Sequence, residues 1–176
     1  MGVPKQLLDL DGKPLLQHVL DAASAAQLEQ VILVLGAHQD TIVQGVLPAS
    51  DVDVVINADH EVGQSTSLHA GLAATRAEIE RAVILLGDQP FITTQAIERV
   101  AHSVHGPIVR ASYGRHPSHP VALDRSVWEL VAARGDQGAR DLIASRPELV
   151  HLEEVGGEAP SDIDTPEDYL RATRRR

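Results

Sequence analysis

Apolar positions fall into short unbroken runs and into helical stripes, and the two alternate along the chain. Residues 82–86, AVILL, form one run that Gly87 closes. So short a run, with a β-branched pair inside it, predicts a strand covered on both faces, as in a parallel sheet. QVILVL at 30–35, ended by Gly36, and VDVVI at 52–56 predict two more. Leu15, Leu16, Val19, Leu20 and Ala23 recur at helical spacing behind Pro14, which suits a first helical position. Further helices are expected at 38–46, 66–80, 94–103, 126–133 and from the 135–138 stretch through 144. Shorter strands are expected at 107–111 and 120–123, with 112–118 read as a loop and 149–155 as a half-exposed strand. Thr165, Pro166 and Asp168 make a capping box with proline inside it, so the last helix starts there. Strands alternating with helices over 176 residues predict one α/β domain with a mainly parallel sheet.

Composition narrows the function. The formal net charge of −10 argues against a nucleic-acid or anionic-membrane partner, while leaving room for a small anion held by local cations. Aromatic residues are only 2%, so the core is aliphatic and stacking platforms for single-stranded nucleic acid are not expected. The chain has no cysteine, which removes disulfides, thiolate zinc sites and a cysteine nucleophile and suits the cytoplasm. No signal peptide or apolar run of membrane length is present. The histidine pairs at 102 and 105 and at 116 and 119 lack a His-Glu-x-x-His pattern, so no zinc site is expected. Gly-x-Ser-x-Gly, Walker and Gly-x-Gly-x-x-Gly loops are also absent.

Four places can carry chemistry. Asp88 follows the 82–86 strand, and open α/β sheets bind ligands beyond the carboxyl ends of their strands; Asp-x-Pro is equally ordinary turn chemistry. Asp164 precedes the last helix. Two carboxylates from distant segments can share a Mg²⁺ that takes its other ligands from phosphate and water, or they are two independent caps. GQSTS at 63–67 opens a helix, whose free N–H groups suit a phosphate, ribose or base edge; a plain serine cap reads the same way. Lys5 offers a mobile positive charge for phosphates, or is a surface lysine.

Taken jointly, six stretches resemble the molybdenum cofactor nucleotidyltransferases, the cytidylyltransferase branch above all. They are MGVPKQLLDLDGKPLLQHVL at 1–20, GQSTSLHAGL at 63–72, LLGDQP at 85–90, SHPVAL at 118–123, GDQGARDLI at 135–143 and DIDTPEDY at 162–169. The resemblance implies a Rossmann-like three-layer α-β-α sandwich of the nucleotide-diphosphosugar transferase type. It implies transfer of CMP from CTP to the phosphate of molybdopterin, with pyrophosphate released and Mg²⁺ as cofactor. Carried over by motif, Lys5, Asp88 and Asp164 form the catalytic set. Lys5 would meet the triphosphate, and Asp88 and Asp164 would hold the metal. Gln64, Ser65, Thr66 and Ser67 would lie against the base and ribose. His119, Gly135, Asp136, Gly138 and Arg140 would face the acceptor. A cytoplasmic enzyme is implied, using CTP or another nucleoside triphosphate and a molybdopterin-type acceptor, with a molybdoenzyme as recipient of the cofactor.

In the family a first strand and a Leu-Ala-Ala-Gly-x-Ser-x-Arg loop stand directly before the Met-Gly that opens this chain. The expectation is therefore a single domain at 1–176 lacking that strand and triphosphate loop, with 30–35 and 82–86 either separated or paired directly. Low stability and little transferase activity would follow. Two alternatives remain: a guanylyl- or other nucleotidyltransferase on a related phosphorylated acceptor, and a non-catalytic nucleotide-binding protein of cofactor maturation.

Overall fold

The computed structural model describes residues 4–46, 52–131 and 138–174. Asp11 and Gly12, both at positive φ, turn a short antiparallel pair, β1 (Asp9–Leu10) on β2 (Lys13–Pro14). Pro14 is the N-cap of α1 (Leu15–Ala25), one position before its expected place. After β3 (Val31–Leu35) come α2 (Gln39–Gly45) and β4 (Val52–Ile56), and β3 pairs with β4 in parallel.

α3 (Gln64–Ala74) ends six residues short of the expected 66–80 helix. Thr75 turns extended, and its hydroxyl donates back to the Gly71 carbonyl. The next N–H, of Arg76, donates to Gln30 Oε1 instead of continuing the helix. Ile79 therefore lies on no helical face.

β5 (Arg81–Ile84) is half-buried at every position rather than covered on both faces, and Leu85 and Leu86 lie beyond it. Thr93 caps α4 (Thr94–His102), its hydroxyl accepting from the Ala96 N–H.

The expected loop at 112–118 is instead the end of a hairpin. β6 (Ile108–Tyr113) and β7 (His116–Asp124) turn at Gly114 and Arg115, both at positive φ. Apart from Pro107, the expected strands at 107–111 and 120–123 lie within it, and only the stretch around Pro117 lacks an apolar pattern. A strand tolerates prolines where no ladder N–H is needed. Pro117 lies beyond the stretch that pairs with β5, and Pro120 falls in a register shift between β6 and β7.

Residues Arg125–Leu130 form a 3-10 turn where 126–133 was expected to be an α-helix. α5 (Arg140–Ser145) and β8 (Val150–Glu154) follow. The capping box of Thr165 and Asp168 opens α6 (Pro166–Ala172) as expected.

The larger sheet runs β5-β7-β6-β8, antiparallel on both sides of β7 and parallel between β6 and β8. Among the described residues β3 and β5 share no ladder, so the β3–β4 pair is a separate sheet. Helices cover two faces. α1 and α4 bury Val19, Ile97 and Val100 against Val109, Ala111 and Ala122. On the opposite face α3 and α5 bury Leu72 and Leu142 against Ile108, Val121, Leu123 and Trp128. This is the three-layer arrangement expected of the chain.

Side-chain packing joins the two sheets. α1 sends Val19 to the four-stranded sheet, and Leu16 and Leu20 to β3 and α2. Leu16 also lies close beneath Gly87, where a Cβ would come within 3.2 Å of its Cδ1. Leu16→Ala should therefore cost about 2–5 kcal/mol. Hydrogen exchange should show protection falling first in β3 and β4 rather than in β6 and β7. Uniform loss across both sheets would contradict this division.

Candidate active site

Lys5 is aimed by its neighbours. Pro4 opens a 3-10 turn at Lys5–Leu7, with the Leu7 N–H donating to the Pro4 carbonyl. Leu7 packs with the β3–α2 cluster and Leu8 with the cluster of Leu10, Leu15 and Ile163. The apolar pair anchors the segment and leaves the ammonium to reach the carboxyl ends of the strands.

There Lys5 Nζ donates to Asp88 Oδ2 at 2.7 Å and to Asp164 Oδ1 at 2.6 Å. Three segments separated by 83 and 159 residues meet at one charged point. The two acids are set by a second clasp. The Ile163 N–H donates to the Asp88 carbonyl at 3.0 Å, and Gln89 Nε2 donates to Asp162 Oδ1 at 2.6 Å. Gln89 is buried, and its Oε1 has no hydrogen-bond partner. Gln89 and Asp162 were not singled out from the sequence, although both lie inside the LLGDQP and DIDTPEDY stretches.

Partial burial works against charge on Lys5, but hydrogen bonds to Asp164 and Asp88 and the charges of both outweigh it and raise its pKa above the usual lysine value. The acids thus already bracket a cation. Both offer hard oxygen donors, and among the described residues no third His, Cys, Asp or Glu joins them in a metal-binding cluster. Such a pair fits an ion that takes few protein ligands and fills its shell with phosphate and water.

The GQSTS stretch does open a helix, Gly63 entering it at φ 135°. Its hydroxyls are largely committed. Buried Asn57 donates from Nδ2 to Thr66 Oγ1 and Ser67 Oγ, each at 2.9 Å. Thr66 Oγ1 donates to the Gly63 carbonyl. Ser65 is fully buried, with its hydroxyl unpartnered. Asn57 is the organiser here, and its signal in the sequence was a polar residue directly after VDVVI. The loop crosses the end of β3 so closely that a Cβ on Gly36 would stand 2.4 Å from His60 Cβ. Gln64 turns toward Gly138, whose φ of 53° favours glycine.

The acceptor-side expectations divide. Gly135 and Asp136 lie outside the described residues. Gly138 is buried beside Gln64, and Arg140 begins α5 at the surface. His119 sits at the register shift, where Arg110 pairs with Val121 but Ala111 with Ser118, leaving residues 119 and 120 bulged. A bulge of this kind re-aims a side chain. Tyr113 Oη donates to the His119 carbonyl at 2.8 Å, and burial pushes the Tyr113 phenol up to about 12. Because Ile84 faces Val121 across β5 and β7, His119 falls just beyond the end of β5, toward Asp88. Burial is the main reason its imidazole is held below the ordinary value of 6.5. Arg110 and Arg140 add to this, against Asp162 and Asp88.

Comparison with known proteins gives a consistent result. Residues 1–152 match the family described as MobA-like NTP transferase domain. Nicotine blue oxidoreductase of Paenarthrobacter nicotinovorans is 29% identical, over 96% of this chain and 87% of that protein. A 3-deoxy-manno-octulosonate cytidylyltransferase of Anaeromyxobacter is 32% identical over 89% of this chain; the match spans 62% of that enzyme. Among solved structures, the manganese complex of Rv0371c from Mycobacterium tuberculosis superposes with a TM-score of 0.86 at 30% identity, covering 98% of this chain and 92% of that one. A nucleotidyl transferase from Methanothermobacter gives a TM-score of 0.81 at 25% identity, covering 96% and 83%.

The depressed His119 has a measurable consequence. The folded state binds its proton less readily than the unfolded chain does. Its contribution to stability is present above about pH 6.5 and is lost as pH falls through the folded value. NMR titration of the ring should give a midpoint below 6.5. Arg110→Gln, which removes one of the opposing charges, should move that midpoint up.

Proposed function

We propose that this chain, which belongs to the MobA-like NTP transferase domain family, is the cytidylyltransferase of a molybdopterin-type acceptor. In this reading it moves CMP from CTP to the acceptor's phosphate. Membership of the family makes it a nucleotidyltransferase related to cytidylyltransferases. The base and the acceptor are the proposed part. The observation that carries the reading is the meeting of Lys5, Asp88 and Asp164 at one point from three distant segments. Opposite charges held in this way suit a triphosphate that arrives with a divalent cation.

An oxygen of the acceptor phosphate forms a bond to the α-phosphorus of CTP. The bond from that phosphorus to the bridging oxygen breaks, and the electron pair leaves with pyrophosphate. Both reacting partners are anions, so the protein's work is positioning and charge neutralisation. Asp88 and Asp164 would hold Mg²⁺, or Mn²⁺, the metal named for the related mycobacterial structure. When bound, that ion draws negative charge from the phosphate oxygens and the leaving group. Lys5 gives up its two carboxylates and turns its ammonium to the triphosphate. Gln64 and the start of α3 lie against the nucleoside, with Asn57, Thr66 and Ser67 holding that loop in shape. His119, Gly138 and Arg140 face the acceptor. The acceptor is already ionised, so no strong base is required. The oxidoreductase name of one relative is not carried to this chain, because a lysine bridging two carboxylates answers to phosphoryl chemistry.

Asp88→Asn and Asp164→Asn should each lower metal-dependent transfer at least about a hundredfold while the protein stays folded by circular dichroism. Near-normal turnover in either variant removes that residue from the metal site. With both triphosphates in one reaction, CTP should be used over GTP by at least about tenfold, roughly 1.4 kcal/mol in transition-state binding. A preference for GTP would move the reading to a guanylyltransferase, and no turnover with any triphosphate would favour a non-catalytic maturation protein.

A further inference from the structure

Gln89 is a long polar side chain sealed inside the protein. It is 4% exposed, and Pro90 beside it is buried as well. Its backbone already closes the turn after β5: the Gln89 N–H donates to the Leu86 carbonyl at 3.2 Å, and the Gln89 carbonyl accepts from Ile92 at 3.1 Å. The side chain is not needed for that turn. Its amide is only half satisfied. Nε2 donates to Asp162 Oδ1 at 2.6 Å, while Oε1 has no hydrogen-bond partner. A buried amide carbonyl without a partner is unfavourable. A methionine of similar length would avoid that cost, so what sets glutamine apart at this position is its donor.

The order of the residues shows what that donor holds. Asp162, Ile163 and Asp164 meet Asp88 and Gln89 through three successive contacts. Gln89 takes Asp162. The Ile163 N–H donates to the Asp88 carbonyl at 3.0 Å. Asp164 faces Asp88 through Lys5, whose Nζ lies 2.6 Å from Asp164 Oδ1 and 2.7 Å from Asp88 Oδ2. The backbone bond is the pivot of the three. A single hydrogen bond would let the 162–164 segment turn about it. The Gln89 bond lies on one side of the pivot in the sequence and the carboxylate pair on the other, so turning at Asp162 carries Asp164 with it. Beyond Asp164 the segment is held again, because Asp168 Oδ2 accepts from the N–H groups of Asp164 and Thr165 at 3.3 and 2.9 Å. The same contact occupies Asp162, an acid two residues from Asp164. Among the described residues no third acid joins Asp88 and Asp164 in a metal-binding group.

We propose that Gln89 is the positioning residue of the Asp88–Asp164 pair: acting through Asp162, its neutral amide fixes the separation at which the two carboxylates share one cation. That this cation is a divalent metal during catalysis rests on the transferase reading. The clasp rests on the hydrogen bonds themselves, since Lys5 already bridges the pair. A glutamate at this position would set a second carboxylate against Asp162 and push the segment away. A lysine would add a cation that competes with Lys5. The amide donates to Asp162 and adds no charge.

Reversing the polarity of the bond tests this. Gln89→Glu sets acceptor against acceptor. Gln89→Glu combined with Asp162→Asn restores a donor and an acceptor at unchanged side-chain lengths and net charge. Mn²⁺ alone is titrated into each protein at mildly alkaline pH, with the free ion read by electron paramagnetic resonance. Gln89→Glu should bind about tenfold more weakly, the scale of outer-shell changes at metal sites, and the double variant should return toward wild type. Equal binding by Gln89→Glu, or a double variant no better than Gln89→Glu, overturns the proposal. The Lys5 ammonium signal in NMR reads the pair without metal. It should move in Gln89→Glu and return in the double variant, and an unmoved signal overturns the proposal. If wild type leaves Mn²⁺ free, the metal part of the transferase reading fails, and the Lys5 signal alone decides on Gln89. Should Gln89→Glu fail to fold by circular dichroism, Gln89→Met takes its place. It removes the donor without adding charge, and unchanged Mn²⁺ binding with an unmoved Lys5 signal overturns the proposal. In transfer assays excess Mn²⁺ should restore most of the rate lost in Gln89→Glu, and a rate that stays low overturns the positioning role. If no form transfers a nucleotide while the Mn²⁺ and Lys5 patterns hold, the transferase reading fails and the role of Gln89 stands.

Discussion

Two sheets that share no hydrogen-bond ladder among the described residues must hold one site together, and the packing of helices bridges them. α1 does this from one face, with Val19 on the four-stranded sheet and Leu16 and Leu20 on the parallel pair. α3 does it from the other, with Gly71 close against Val34 of β3 while Leu72 enters the core beneath α5. Each buried aliphatic side chain contributes about 1.5–3 kcal/mol. That is enough to fix the sheets, but it acts through shape and not through the directional pairing of backbone groups. The relative position of the two sheets therefore depends on how well these few side chains fit.

The site inherits that dependence. The Asn57 loop and the start of α3 belong with β3 and β4, whereas Asp88, His119 and Arg110 belong with the larger sheet. Lys5 reaches across from the segment that α1 anchors. Asp164 comes from a fourth direction and is held by the backbone bond of Ile163 to Asp88 and by the contact of Gln89 with Asp162. A lysine between two acids thus reports the correct meeting of all these parts, and electrostatic attraction draws them in once packing has brought them near.

Much of the fold was legible because local signals and burial agreed. β3, β4, α2, α4, β8 and the capped start of α6 follow from aliphatic runs, helical stripes and the Thr165 box. The strands of the β6–β7 hairpin were legible at 107–111 and 120–123, but its closing end was read as a loop, because Pro117 and the turn residues around it carry no strand pattern, and only the pairing partners show why it is tolerated. The early end of α3 was hidden for a similar reason: Gln30, far along the chain, takes the Arg76 N–H that would have extended the helix. In the site, Lys5, Asp88 and Asp164 were visible by motif, and their convergence is a tertiary fact. The hydroxyls of Thr66 and Ser67 looked available for a ligand in the sequence. Asn57, nine and ten residues earlier, engages both.

The β6–β7 hairpin carries Arg110 and His119 on one continuous piece of chain, closed by a tight turn at Gly114 and Arg115. The carboxylate pair and Lys5 come from other segments entirely. Substitutions within the hairpin thus change His119 and Arg110 while Lys5, Asp88 and Asp164 stay in place. What the hairpin carries and what the three charged side chains carry are therefore encoded in separate stretches of the chain.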